Sequence, residues 1–205
     1  MLDGRWRAKV ERRLDPVGRG LHRAGISADG LTIAGLVIAI ATALLIANGN
    51  LLLGAIGLVL TGLPDVLDGS VARYSGKAGP RGAFFDSVVD RYSDAALFFG
   101  LLVYYSRGGR FFYVVLAALA MISSVMVSYT RARAESLIGT CKVGFMERPE
   151  RLVLLIIGAV FNRMAPVLWV IAVLSTITVA HRIYYTWQQT ELMEHAGGAP
   201  NQSAA

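Results

Sequence analysis

The stretch Gly30-LTIAGLVIAIATALLIANGNLLLGAIGLVLTGL-Pro64 carries no Asp, Glu, Lys or Arg. A bilayer core needs roughly 20 apolar residues per helix. This run therefore supplies two spans, broken once at Asn48-Gly49-Asn50. Acids are again absent from Ala95 to Ala134 and from Arg151 to Thr190. Of the 205 residues, 55% are hydrophobic and 17% charged, with a mean hydropathy of +0.52. A soluble domain carries about a quarter charged residues, so the chain reads as all-α and polytopic in the membrane. A secreted, disordered or nucleic-acid-binding domain is excluded, despite the net charge of +6.

Six spans follow, over about 31–47, 51–72, 82–105, 111–131, 150–162 and 164–186. Lys and Arg set the orientation. Seven lie before residue 24, and Arg73, Lys77, Arg81, Arg131, Arg133, Lys142, Arg148 and Arg151 gather in or beside the second and fourth connections. The other three connections hold only Arg107, Arg110 and Arg163. Both termini are expected in the cytoplasm, at a cell membrane.

Residues 1–25 form a juxtamembrane segment in which Trp6, Val10, Leu14, Val17 and Leu21 alternate with basic residues at helical spacing. That pattern suits an amphipathic helix on an anionic surface. Residues 26–188 are the expected catalytic domain, and 189–205 a polar, flexible tail. A single cysteine, Cys141, cannot form an intrachain disulfide. No cleavable leader is read at the start, because no apolar run follows the charged residues closely.

Five aspartates are out of place in this composition: Asp65, Asp68, Asp86, Asp90 and Asp94. Ionised carboxylates in membrane helices cost several kcal/mol without compensation. A divalent cation is the simplest compensation, because hard cations take oxygen ligands and share them with substrate phosphates. Asp65 and Asp68 stand i, i+3, and Asp86 and Asp90 stand i, i+4, so each pair shares one helix face. A short connection makes the two helices antiparallel neighbours, so four carboxylates converge and can hold one or two metals. Asp94, one turn further, pairs with Arg91 or a helix-end donor on this reading. Gly69 and Gly82 permit close backbone approach by a ligand, Ala72 leaves room, and Arg73 offers a planar fork to a phosphate.

These residues form the string D-x2-D-G-x2-A-R-x8-G-x3-D-x3-D from Asp65 to Asp90, with eight constrained residues over 26 positions. The string resembles the signature of the CDP-alcohol phosphotransferase family at every fixed position. The resemblance implies an integral membrane enzyme that displaces CMP from a CDP-linked lipid with a hydroxyl acceptor, with six membrane helices and a homodimer. It implies Asp65, Asp68, Asp86 and Asp90 as ligands of two Mg2+ ions, or Mn2+ in their place, and Asp90 also as the general base. Gly69, Ala72 and Arg73 would contact the CDP-diacylglycerol. Ser27-Ala28-Asp29-Gly30-Leu31-Thr32 resembles the family's polar turn before the first helix, which makes Asp29 and Thr32 candidates for the cytidine. Ser27 or Asp29 is equally a good N-cap.

A second cluster is basic. Arg131 and Arg133 end the fourth span, Arg148 and Arg151 open the fifth, and Arg182 sits late in the sixth with no acid nearby in sequence. Arginines on three helix ends at one face suit a phosphate, and Arg182 needs snorkelling or a bound anion to satisfy it. The strings SYTRARAE (128–135), MERPERL (146–152) and DPVGRGL (15–21) resemble the actinobacterial branch of the family that makes phosphatidylinositol phosphate. That resemblance implies myo-inositol 3-phosphate as acceptor, with Arg131, Arg133, Arg151 and Arg182 as phosphate contacts.

Three other readings are open. Glycerol 3-phosphate would use the same arginines, in a phosphatidylglycerophosphate synthase. An ion-coupled transporter would show two repeated halves, whereas the Asp-rich helix pair has no counterpart in the sequence. A prenyl-type transferase would lack the Gly-x2-Ala-Arg that follows Asp68. His22, His181 and His195 have no partners at metal-site spacing, and the aromatics at span ends read as interface anchors.

Overall fold

A computed structural model describes residues 27–74 and 79–197, together with Gly20 and Gly25; within 64–74 and at 196–197 only the backbone is described. The juxtamembrane helix expected over residues 3–22 lies outside the described residues, Gly20 apart. Six helices follow in chain order: α1 (Ala28–Ala47), α2 (Leu51–Tyr74), α3 (Pro80–Arg107), α4 (Phe111–Ile138), α5 (Arg148–Val160) and α6 (Met164–Gly197). Each coincides with one expected span, the fifth ending at Val160 where residue 162 was expected, and no strand occurs among the described residues.

The breaks fall where turn chemistry puts them. After α1, Asn48 donates through both its backbone N–H and its side chain to the Leu44 carbonyl. Gly49 follows at φ +84°, a left-handed conformation that favours glycine. Asn162, between α5 and α6, takes φ +52°, which asparagine tolerates better than most residues. Ser27 caps α1 by accepting from the Gly30 N–H at 3.1 Å, so of the two expected caps the serine acts. The helix α6 runs to Gly197, although the composition suggests a tail from residue 189. Its last turns carry local bonds, from the Thr190 hydroxyl to the Thr186 carbonyl and between His195 Nδ1 and the Glu191 carbonyl.

Three of the helices, α1, α4 and α6, are long and apolar enough to cross a membrane, and Leu51–Leu63 is a shorter apolar helix. The main neighbours of α1 are α2 and α3; α3 also packs on α4, α4 on α6, α6 on α5, and α5 on α2. These pairs close into a ring. Short connections make successive helices antiparallel, so the starts of α1, α3 and α5 and the ends of α2, α4 and α6 share one end of the bundle.

The two ends of the ring differ in chemistry. Its apolar core comprises Ile46, Leu51, Ala55, Leu58, Leu97, Phe98, Leu101, Leu116, Leu155, Leu168 and Ile171, among others. All of these lie late in α1, α3 and α5 or early in α2, α4 and α6. Toward the opposite end the buried arginines Arg151 and Arg182 gather with Thr32 and Thr178 beside apolar Val89, Val127, Ala134 and Met146, while buried Thr61, Ser93 and Ser124 stand near mid-helix. The apolar cluster therefore lies toward one end, and the buried charge toward the other, polar end. Small residues hold α1 close to its neighbours. A Cβ on Gly100 would stand 2.5 Å from the Ala43 carbonyl oxygen, and one on Gly57 would stand 2.3 Å from Thr42 Oγ1.

Candidate active site

Every candidate residue named from the sequence belongs to the polar end of the bundle. Asp29 and Thr32 are in the first turns of α1, positions 65–73 in the last turns of α2, and Asp86 and Asp90 in the first turns of α3. Arg131 and Arg133 lie late in α4, Arg151 at the start of α5, and Arg182 in the second half of α6. The side chains of Asp65, Asp68 and Arg73 lie outside the described residues.

On α3 the aspartates divide by environment. Asp86 carries a buried oxygen, Oδ1, with no hydrogen-bond partner among the described residues. An orphaned carboxylate oxygen costs free energy unless a donor or cation meets it. At Gly82, one turn earlier, no described atom lies within 4 Å of where a Cβ would stand. Among the described residues no three His, Cys, Asp or Glu gather into a metal site. The signature draws two of its four carboxylates from α2, at positions whose side chains are not described. A buried hard oxygen donor with no partner among the described residues fits a divalent cation.

Asp90 and Asp94 face a different partner. Arg148 binds Asp90 through Nη1 and Asp94 through Nε, the latter at 3.2 Å. Arg151 Nη2 meets the other Asp94 oxygen at 2.5 Å. Of the two partners expected for Asp94, the helix-end donor is the one found, since Arg148 and Arg151 open α5, more than 50 residues away in sequence. Arg91 instead approaches Asp90 Oδ2 at 3.9 Å and donates to the Ser87 carbonyl. Arg151 is only 3% exposed, and its Nε and Nη1 have no hydrogen-bond partner among the described residues.

A second circuit joins α4, the connection before α5, and α6. Arg182 is 1% exposed, and its three nitrogens donate to the Val143 carbonyl at 2.8 Å, the Val127 carbonyl at 2.6 Å and Glu147 Oε1 at 2.9 Å. The same Glu147 oxygen accepts from Arg131 Nη1 at 2.9 Å, while Arg131 Nε reaches Glu135. Snorkelling and a bound anion were the expected ways to satisfy Arg182; backbone carbonyls and a carboxylate from another segment already engage it. Arg133 is exposed and makes no ion pair among the described residues. Thr32 is buried and donates back to the Ala28 carbonyl at 3.1 Å, while Asp29 is exposed in the first turn. Arg148 and Asp94 were singled out in the sequence without a substrate role, and Glu147 was not singled out, although the alternation of charge in Met146-Glu-Arg-Pro-Glu-Arg151 marked the segment.

The sequence profile of the CDP-alcohol phosphatidyltransferases matches residues 26–192. The chain belongs to the CDP-alcohol phosphatidyltransferase family. Its resemblance through the aspartate signature is thus borne out over nearly the whole helical region. An archaetidylinositol phosphate synthase of Pyrococcus horikoshii is 36% identical over 187 residues, covering 91% of this chain and 97% of that protein. A crystal structure of the Mycobacterium tuberculosis phosphatidylinositol phosphate synthase with CDP-diacylglycerol bound superposes with a TM-score of 0.80 at 33% identity, covering 95% of this chain and 100% of the other. A second structure of that synthase, in complex with manganese and citrate, superposes with a TM-score of 0.77 at 33% identity, covering 93% of each chain. The family and the apolar helices together make this an integral membrane enzyme.

Proposed function

We propose that the chain transfers the phosphatidyl group of CDP-diacylglycerol to myo-inositol 3-phosphate, giving phosphatidylinositol phosphate and CMP. The observation that carries the acceptor is Arg151: a guanidinium 3% exposed, with Nε and Nη1 unpartnered, at the same end of the ring as the aspartate signature. Such a group calls for a buried anion. The names of the Pyrococcus and Mycobacterium synthases support inositol phosphate as that anion.

In this reading Asp65, Asp68, Asp86 and Asp90 hold two Mg2+ ions, with Mn2+ able to replace them, as the manganese complex of the mycobacterial enzyme suggests. When bound, the ions neutralise the diphosphate and stabilise the leaving oxygen. Gly69 and Ala72 let the diphosphate approach the backbone, Arg73 binds it, and Asp29 and Thr32 face the cytidine. Asp90 takes the proton of the acceptor hydroxyl. The hydroxyl oxygen forms a bond to the lipid-side phosphorus, the bond from that phosphorus to the bridging oxygen breaks, and CMP leaves with the electron pair. Arg151, with Arg131, Arg133 and Arg182, orients the acceptor phosphate.

All six helices span the bilayer in this reading, with both termini and the polar end of the ring at the cytoplasmic face of the cell membrane. Residues 1–25 lie along that surface as an amphipathic segment, residues 26–188 form the catalytic domain, and the chain works as a homodimer. CMP release by detergent-purified protein, with Mg2+ and CDP-diacylglycerol, tests the reading against three acceptors. Release with inositol 3-phosphate alone is expected. Release only with glycerol 3-phosphate would keep the donor site and overturn the acceptor, and no release from folded protein would overturn the whole reading.

A further inference from the structure

Asp94 falls outside the aspartate signature, yet it is the carboxylate most engaged with the basic cluster. Both its oxygens are used, one by Arg148 Nε at 3.2 Å and the other by Arg151 Nη2 at 2.5 Å, and its side chain is 16% exposed. Arg151 sits in the first turn of a short helix with only its Nη2 anchored. A guanidinium is planar, so fixing one nitrogen against a carboxylate fixes the direction in which the other two point. Those two, Nε and Nη1, are buried and unpartnered. A buried cation with a free edge recognises an oxyanion, and the anchored nitrogen decides where that oxyanion sits.

We propose that Asp94 is a positioning residue for the acceptor phosphate. It holds Arg151 so that the free Nε–Nη1 edge faces the phosphate, and it acts through Arg151 without touching the substrate. The proposal rests on the acceptor reading above. The same carboxylate also holds Arg148, whose Nη1 is on Asp90. The chain Asp90–Arg148–Asp94–Arg151 therefore ties the phosphate's position to the carboxylate that would accept the hydroxyl proton. An acceptor phosphate bound out of place would carry its hydroxyl away from Asp90.

The test is a double-variant cycle in the full-length protein, with Asp94→Asn, Arg151→Gln and the two combined. CMP release is measured against acceptor and donor concentration, and binding of inorganic phosphate is measured by calorimetry. Asp94→Asn should raise the acceptor KM about ten-fold or more and leave the donor KM within two-fold. It should also weaken phosphate binding in the absence of donor. In acceptor KM and in phosphate binding the combined variant should match Arg151→Gln alone within two-fold, because a residue that positions the phosphate through Arg151 has nothing left to position; turnover is free to fall further through Arg148 and Asp90. Equal rises in donor and acceptor KM, or an acceptor KM of the combined variant several-fold above that of Arg151→Gln, would overturn the proposal. If Asp94→Asn does not fold, Arg151→Gln and the combined variant still decide it, since both remove the buried guanidinium. Should the unmodified protein release no CMP, the function has failed; phosphate binding then tests Asp94 alone, and binding unchanged by Asp94→Asn would overturn its role.

Discussion

Single residues at the polar end carry charge in places where a lone charge would be costly. Arg182 is held by three protein oxygens at 2.6 to 2.9 Å. Hydrogen bonds from a charged group contribute roughly 1.5–3 kcal/mol each when buried, so Arg182→Ala should destabilise the protein by at least about 2 kcal/mol. Thermal unfolding in detergent measures this, and an unchanged midpoint would show that the cluster does not hold the bundle. Arg182→Lys should recover only part of the loss, because an ammonium cannot reproduce the planar fork. At the reaction centre, Asp90→Asn should leave the fold and CDP-diacylglycerol binding intact and lower turnover about 100-fold or more, the range of general-base removal. Turnover near that of the unmodified protein would sink the assignment of Asp90 as base. The spacing of the four signature aspartates was legible because it is local. The partners of Asp90, Asp94 and Arg182 were not, because they arrive from other helices.

At the level of elements, the helices were nearly all legible. Apolar length, Asn48-Gly49-Asn50 and Asn162-Arg163 mark their limits, and every span was located to within a few residues except at the ends of α4 and α6. Those two helices run on past the apolar stretch: α4 with Ala134 buried and Arg131 held by Glu147, α6 on local hydrogen bonds. Which helices touch was not legible, since small residues at crossings resemble any other alanine or glycine in an apolar run. The closest crossing found is Gly100 on α3 against the backbone of Ala43 on α1. Gly100→Ala must push these helices apart and should cost about 1–3 kcal/mol, as overpacking does. Because α1 and α3 both contribute to the polar end, it should also weaken donor binding. Gly82→Ala meets open space in the described structure, and should leave the unfolding midpoint unchanged while weakening donor binding. The comparison of the two variants separates packing from ligand access.

For the whole molecule, the proposed reading puts the chemistry at the end of the bundle that holds the buried arginines, near one membrane surface, where a lipid donor and a water-soluble acceptor would meet. Chelation of divalent metal should abolish CMP release from the purified protein, and added Mg2+ or Mn2+ should restore it. Activity that survives chelation would remove the cations from the reaction. The orientation is open to labelling of intact cells with a maleimide that does not cross membranes, in a Cys141→Ser background. Gly109→Cys should label and Thr140→Cys should not until the cells are opened. The opposite pattern would invert the molecule.

By itself the sequence determined that this is a membrane protein, where its described helices fall and the class of its chemistry. Apolar length, turn residues and i, i+3 or i, i+4 spacing are properties of neighbouring positions, and these need no tertiary knowledge to read. Only the tertiary structure decided how the charges are shared. It closes α1, α3, α4, α6, α5 and α2 into a ring, engages Arg182 through Glu147 and two carbonyls, and leaves one edge of Arg151 free beside Asp94. The physical reason is that a buried charge is satisfied by whatever lies nearest in space. In a helix ring the nearest group comes from a helix far away in the chain.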